Sequence, residues 1–355
     1  MKQPSPDVLV VADLGTWRSQ WDGLVDRSPL PSPFMRSWWL AGAGGPTRRF
    51  VLVVSGDRLV GGLPVEDHRW LGVPRTRIMT GGQLCPDHMD LLSGADELDD
   101  TVRALRGWLD RPGTRLADFD GLAAGSHLAE VLPGAVRRTP CGVAPWTPLP
   151  SDAAAYSAGL SSQFRRQLRR ASARVTDAGM GHRIRRGTAA LAAIDTLREL
   201  HREQWGDRSN FLPVFGRFAA ACRLGVDADE VAVHELAADD TVVSSVVTFE
   251  VARRVSLYQS ARSTDPRWNQ ASTVLMSEVI ADACGRSFAE VDFLRGDETY
   301  KHRFAPNRRE LVRLTGATGT AARAAQAAQA VHVTARAATE RAVRSGRARW
   351  AKRKS

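Results

Sequence analysis

The chain has almost no lysine. Of its 49 basic residues 45 are arginine, and Lys301 is the one lysine between positions 3 and 351. It also lacks any apolar run near the roughly 18 residues that a membrane span requires. The stretch V-L-V-V-A at residues 8–12 stops at Asp13, too soon for a secretory h-region. A cytoplasmic protein is expected. Cysteine is scarce as well: Cys85, Cys141, Cys222 and Cys284 are far apart and form no C-x-x-C pair. Neither a zinc site nor a disulfide framework is indicated, and no metal is expected. Acidic residues are nearly missing from the C-terminus, where nine Arg and Lys face one Glu from Thr315 onward. That segment carries +8 of the net +10 and leaves +2 for residues 1–314. The basicity therefore belongs to a tail, which suits an anionic membrane surface more than a nucleic-acid-binding body. An Arg excess together with abundant Ala and Gly also matches a GC-rich codon bias, so arginine count alone is no argument for nucleic acid.

What is present is a repeated order of elements. A length of 355 residues favours two domains. In the first half, V-L-V-V-S-G-D-R-L-V-G-G-L-P-V reads as a hairpin around residues 55–58, followed by a helix in D-D-T-V-R-A-L-R-G-W-L and a strand R-L-A-D-F-D-G. In the second half, V-A-V-H-E-L-A-A-D-D-T-V-V-S-S-V-V-T-F is again a hairpin. A helix in S-T-V-L-M-S-E-V-I-A-D-A and the strand F-A-E-V-D-F-L-R-G follow. The echo of A-D-F-D-G in V-D-F-L-R-G points to two copies of one α/β unit. Between them Phe164, Leu168, Ala171 and Val175 fall on one face of a helix capped by Ser161 or Ser162. Arg165, Arg166, Arg169, Arg170 and Arg174 fall on the other. This basic face is either solvated, or it borders a cleft where Arg165 and Arg169 meet an acidic or phosphate-bearing ligand. Further elements are expected at H-R-I-R-R, 189–205, 213–224, V-S-L-Y-Q-S-A and R-E-L-V-R-L.

The sharpest motif is D-F-L-R-G-D-E-T-Y-K-H-R-F, residues 292–304. Together with the Trp205 helix, the D-D-T-V-V-S-S hairpin and the segments S-W-W and L-V-G-G-L-P, it resembles the GNAT acyltransferases of the CelD (cellulose-biosynthesis) type. These are related to the Fem peptidyltransferases. The resemblance covers roughly residues 14–314. It implies an α/β (α+β) fold of two tandem GNAT-like lobes with mixed central sheets. A degenerate lobe would occupy 1–150, the basic bridging helix 151–180, the catalytic lobe 181–316 and a basic, helical Ala/Arg-rich tail 317–355. It also implies transfer of an acyl group, simplest as acetyl, from a thioester carrier such as acetyl-CoA to an amine of a polysaccharide or cell-envelope precursor. Two alternatives stand beside it. One is a Fem-like transferase that consumes charged tRNA, and the other a non-catalytic protein that holds an anionic polymer or a membrane surface.

Acyl transfer needs a groove for the carrier arm, donors for its phosphates, and a polar cluster where a proton leaves and an oxyanion forms. The GNAT phosphate motif, Q/R-x-x-G-x-G/A, has its counterpart in R-W-N-Q-A-S. There Arg267 is in place, but Gln270 and Ser272 stand where glycines are expected, and Asn269, Gln270 and Ser272 remain candidates for the carrier. Without glycine the backbone approaches a pyrophosphate less closely. The alternative for Asn269–Ser272 is a turn and cap for the following helix. Tyr258 and Gln259, on the preceding strand, are candidates for the carrier arm. In the motif, Asp297 or Glu298 would act as general base and Tyr300 as acid toward the leaving thiolate. Arg295 and Lys301 would bind charge developing on the substrate. Lysine in an Arg-rich chain suggests a need for a compact ammonium that a planar guanidinium cannot meet. His201, Trp205 and Asp292 are candidates for the acceptor side. C-P-D-H-M-D, residues 85–90, reads as a surface turn, with an acceptor-binding loop that includes His88 as the alternative.

Overall fold

In the computed structural model, which describes residues 6–79 and 84–331, both halves contribute to one 13-stranded mixed sheet. The first half runs β1 (Asp7–Val11), α1 (Arg18–Arg27), α2 (Ser37–Ala43), β2 (Arg48–Ser55), β3 (Arg58–Trp70), β4 (Val73–Ile78), β5 (Leu92–Ser93), α3 (Leu98–Leu109), β6 (Arg115–Ala123), α4 (Leu128–Val131) and β7 (Arg137–Pro148). α5 (Ala153–Gly159) and α6 (Ser162–Asp177) bridge to the second half. There follow β8 (Gly181–Arg185), α7 (Thr188–Trp205), α8 (Phe215–Asp227), β9 (Val231–Ala238), β10 (Thr241–Val251), β11 (Arg254–Arg262), α9 (Ala271–Gly285), β12 (Glu290–Asp292), α10 (Lys301–Phe304) and β13 (Asn307–Thr318).

The two halves are copies of one unit that exchange their last strands. In each, an antiparallel meander ends on a strand that pairs in parallel over three residues with the strand after the helix: β4 with β6, and β11 with β12. The next strand is then borrowed. β13 of the second half lies against β6, β7 of the first half lies against β12, and β7 and β13 pair with each other at the centre. Residues 137–148 thus complete the second unit's sheet. The sequence boundaries at 150 and 316 fall in a structure whose two units share their central strands.

α6 shows how local sequence sets these elements. The Ser161 hydroxyl accepts the Phe164 N–H at 3.2 Å and caps the helix. Phe164, Leu168, Ala171 and Val175 are all buried, against α9 and its neighbours. On the opposite sheet face the core crosses between the halves. Phe34, Trp38 and Trp39 meet Phe249 and Tyr258 edge-on or tilted, with centroids 5.4–6.1 Å apart where they touch, which accounts for the S-W-W segment.

The first part of the segment expected as a helical tail packs on the sheet. β13 continues to Thr318, and residues 320–331 form a helix. Ala322 and Ala325 are buried against Val73, Leu116 and Ala317. Gln326 donates to the Thr315 carbonyl at 2.9 Å, and Gln329 to Asp118 at 2.7 Å. The alternation of small Ala and capped Gln lets a helix with little apolar bulk sit closely on the sheet. The remainder of the tail, 332–355, lies outside the described residues. Among those described, no helix is long and apolar enough to cross a membrane.

Candidate active site

β11 and β12 part company after Ser256 and Asp292. β11 continues to Arg262 beside β10, whereas the chain after β12 follows β7. There the Phe293 N–H donates to Pro145 O and the Gly296 N–H to Val143 O, each at 2.9 Å. From Leu257 onward the β12-facing edge of β11 has no strand partner among the described residues. A cleft of about 790 Å³ opens in this gap. A register shift against β10 between Val247 and Thr248 leaves Tyr258 as the extra residue on β11, a bulge of the kind that re-aims side chains at sites.

The floor of the cleft is the turn 294–301. Leu294 has φ of +55°, and Gly296 has φ of +137°. A non-glycine residue at positive φ is strained by about 1–3 kcal/mol and needs its surroundings to hold it. Two groups do so. The Asp292 carboxylate accepts the Leu294 N–H at 2.7 Å. From the other side, Lys301 donates to the carbonyls of Leu294 at 3.3 Å and Arg295 at 2.9 Å, and pairs with Glu298 at 3.0 Å. A Cβ at residue 296 would stand 2.7 Å from the ammonium, so glycine is required by both space and conformation. An ammonium has three N–H donors, and all three have partners inside the turn. Lys301 lines the cleft, but its charge is engaged by its own backbone and Glu298.

Arg295 is held by the first half. Its backbone N–H and Nε reach the two oxygens of Asp87 at 2.5 and 2.8 Å, and Nη1 lies 3.5 Å from Asp120. Burial raises the Asp87 carboxyl above its ordinary value in spite of Arg295. Behind the turn Asp292, fully buried, collects His88 Nε2, Arg254 Nη2 and Arg309 Nη1, each at 3.0 Å. Burial pushes this carboxyl up, but His88 and the two guanidiniums outweigh it and hold it well below the usual range.

These contacts revise the sequence reading in several places. Asp292 and His88, expected at the acceptor, sit in the buried network and do not line the cleft. The segment 85–90 is no surface turn: Asp87, His88 and Met89 are buried, and Leu84, Cys85 and Asp87 form one wall of the cleft. The clustering of Asp87, His88 and Asp90 was the sequence signal for it. Arg165 turns back to cap α5 through the carbonyls of Ala158 and Leu160, and Arg169 stays on the exposed face of α6. Arg267 is exposed and bound to Asp265 at 2.6 Å, Gln270 is tied to Gln167 at 2.9 Å, and Asp297 is tied to His302 at 2.6 Å. None of these five lines the cleft.

The cleft does bring together Arg295, Glu298, Tyr300 and Lys301 from the turn, Tyr258 and Gln259 from β11, Asn269 and Ser272 from the start of α9, and His201 and Trp205 from α7. Tyr258 is a packing residue as much as a lining one, since its hydroxyl donates to Leu84 O at 2.8 Å. Tyr300 is 40% exposed, and its phenol is raised above the ordinary range, chiefly by desolvation and then by Glu298. It is protonated at neutral pH. Burial lowers His201, which lies 3.3 Å from the Ser209 hydroxyl. That hydroxyl already accepts the N–H groups of Phe211 and Leu212. Its own proton therefore points to His201 Nδ1, and a neutral imidazole follows. The sequence reading missed Arg208 and Arg262, which also line the cleft. Of the six charged liners, Asp87 pairs with Arg295 and Glu298 with Lys301. Arg208 and Arg262 have no ion-pair partner among the described residues and make the cleft net positive.

The geometry agrees with similarities to known proteins. Residues 162–302 match the acetyltransferase (GNAT) domain family. FemX has a similar structure, with a TM-score of 0.63 at 10% identity over 88% of this chain and 97% of that one. The C-terminal domain of a putative lysylphosphatidylglycerol synthetase from Agrobacterium fabrum gives 0.57 at 13% identity over 90% and 96%. L-PGS from Bacillus licheniformis gives 0.57 at 10% over 84% and 90%. No curated protein matches the sequence. The splayed parallel strand pair and the start of α9 both lie within residues 162–302, the segment that matches the GNAT acetyltransferase domain, and this match supports an N-acyltransferase.

Proposed function

We propose that the cleft between β11 and β12 transfers an acyl group, simplest as acetyl, from a thioester carrier to an amine on a polysaccharide or cell-envelope precursor. The observation that carries this reading is the unpaired edge of β11 beyond Ser256. An extended carrier arm with amide groups can pair with that edge as a strand would, which brings its thioester to the turn at 294–301. The amine nitrogen attacks the thioester carbonyl, and backbone N–H groups of the open edge serve the oxyanion. As the C–S bond breaks, Tyr300 gives its proton to the leaving thiolate, while Glu298, directly or through water, takes the proton lost by the amine. Lys301, 3.0 Å away, holds Glu298 in place. Arg208 and Arg262 suit an acceptor that carries a carboxylate or phosphate, as envelope precursors do. Such an acceptor fits an enzyme at the cytoplasmic face of the membrane, where the basic tail would attach it peripherally.

Free CoA is the less favoured carrier. Gln270 and Ser272 carry side chains at the start of α9 where a pyrophosphate would approach, and Gln270 is held to Gln167. The test is a panel of acyl-CoA, acyl-pantetheine and acyl-carrier-protein donors with amine acceptors, read as amine-dependent thiol release. Release with any donor supports the reading. Transfer from a charged tRNA with no thioester accepted would overturn it in favour of a Fem-like reaction.

A further inference from the structure

On the strength of that reading, we propose that the exposed face of α6 docks an acidic carrier protein, which delivers the thioester on a phosphopantetheine arm. Arg166, Arg169, Arg170 and Arg174 are exposed, and none has an ion-pair partner among the described residues. Elsewhere this chain mates its buried and half-buried arginines closely: Arg36, Arg254, Arg286, Arg309 and Arg313 each reach a carboxylate at 2.6–2.7 Å. The unmatched arginines recur at intervals of three and four, which keeps them on one side of the helix.

The face is joined to the donor end of the cleft. Gln163 and Gln167 line a second pocket of about 610 Å³ with His302 and Arg303. Lys301 and Tyr300, one and two residues before His302, line the cleft itself. α10 is thus the wall between the two, and the Gln167–Gln270 hydrogen bond fixes α6 to the start of α9. Along the helix, Arg170 and Arg174 continue the stripe that Gln163 and Gln167 begin. A carrier seated there has its arm next to the cleft entrance.

Three features favour an acidic protein. An arm borne on a protein presents a single phosphodiester and does not need the glycine cradle that a pyrophosphate uses at a helix N-terminus. The stripe has no exposed aromatic side chain on which a nucleic-acid base could stack. The apolar face of α6 is wholly buried, so the helix has nothing to insert into a lipid interface.

The experiment measures binding of labelled holo-acyl-carrier protein of bacterial fatty-acid synthesis to the full chain. The wild type is compared with the combined variant Arg166→Glu, Arg170→Glu and Arg174→Glu, at low and high salt. Wild-type binding should weaken by about tenfold or more with salt, and the variant should bind about tenfold or more less tightly at low salt. Its melting temperature should be unchanged, and acyl-pantetheine, which has no protein to dock, should react equally with both. Equal binding by wild type and variant, no binding at all, or tRNA or anionic vesicles captured by this face in place of the carrier would each overturn the proposal. If acyl-CoA supports turnover while the carrier does not bind, the docking fails and the transfer reaction stands. If the carrier binds but no thioester reacts, the transfer reading fails alone.

Discussion

Replacing Lys301 tests the central feature of the site. Lys301→Met keeps the length and volume of the side chain but removes three donors. The carbonyls of Leu294 and Arg295, now 3.3 and 2.9 Å from the ammonium, would lose their partner beneath a buried residue. Each buried group left unsatisfied costs about 1–3 kcal/mol. The turn also relaxes some strain at Leu294 when it is released, so the net destabilisation should be about 2–4 kcal/mol. Arginine should not restore it. Its fork is wider and planar, and the space above the ammonium is limited by Gly296, so overpacking of about 1–3 kcal/mol replaces the lost bonds. Activity should fall more than stability suggests. Arg295, Glu298 and Tyr300 ride on this turn, and a displacement of about 1 Å at reacting groups costs on the order of 100-fold. Denaturant unfolding gives the first quantity and thiol release the second. Lys301→Met that unfolds within about 0.5 kcal/mol of wild type and turns over normally would refute the reasoning, because the turn would then hold itself.

Two further outcomes follow from contacts away from the cleft. A chain ending at Thr318 loses Ala322 and Ala325 from the small cluster and strips Asp118 of its Gln329 partner; it should melt several degrees lower, and an unchanged melting curve would show that the helix at 320–331 adds nothing. Buried His234, 3.0 Å from His182 with stacked rings, is held down to about 3 from 6.5, first by burial and then by His182, against an opposing effect of Glu250. The unfolded chain therefore binds the proton first, so stability present above pH 6.5 should be lost as pH falls toward 3, by up to a few kcal/mol at about 1.4 per pH unit. His234→Phe should flatten that slope in acid unfolding, and an identical slope would place the sensitivity elsewhere.

Much of the second half was legible because its signals are local. α6 follows its apolar periodicity and its serine cap, and α7 starts at Thr188, one residue before the expected start. The β9–β10 hairpin turns at Asp239 and Asp240 as D-D-T suggests. β7 was not legible. Pro140, Gly142 and Pro145 argue against a central strand, yet residues 137–148 lie between β13 and β12. The structure accommodates them at a register shift opposite Leu311 and Val312, and Pro145 is used as an acceptor by Phe293. The strand exchange was illegible for a different reason: pairing partners far apart in sequence leave no periodic trace. The same holds for residues 85–90. Their polarity suggested a surface, whereas Asp87 and His88 are polar because Arg295 and Asp292 of the other half require charged and hydrogen-bonding partners.

The repeat itself explains why the cleft needs both halves. Asp118 on β6 and Asp292 on β12 occupy matching places. Each is two positions beyond the strand pairing of an arginine from the neighbouring parallel strand, Arg75 or Arg254, and each accepts a second arginine from β13, Arg313 or Arg309. Burial opposes ionisation of Asp118, but Arg313 and Arg75 prevail and hold it at about 2. β13 thus ties both aspartates to one strand, and the third partner differs: Gln329 for Asp118, His88 for Asp292. His88 comes from the first half and belongs to the segment that forms a cleft wall. Asp87, its neighbour, holds Arg295. β7, also from the first half, draws the chain after Asp292 away from β11 and so creates the gap. The first half therefore shapes the site and lends it Asp87, whose carboxylate is committed to Arg295, and cutting the chain at residue 150 would separate the second unit from the strand order that opens it.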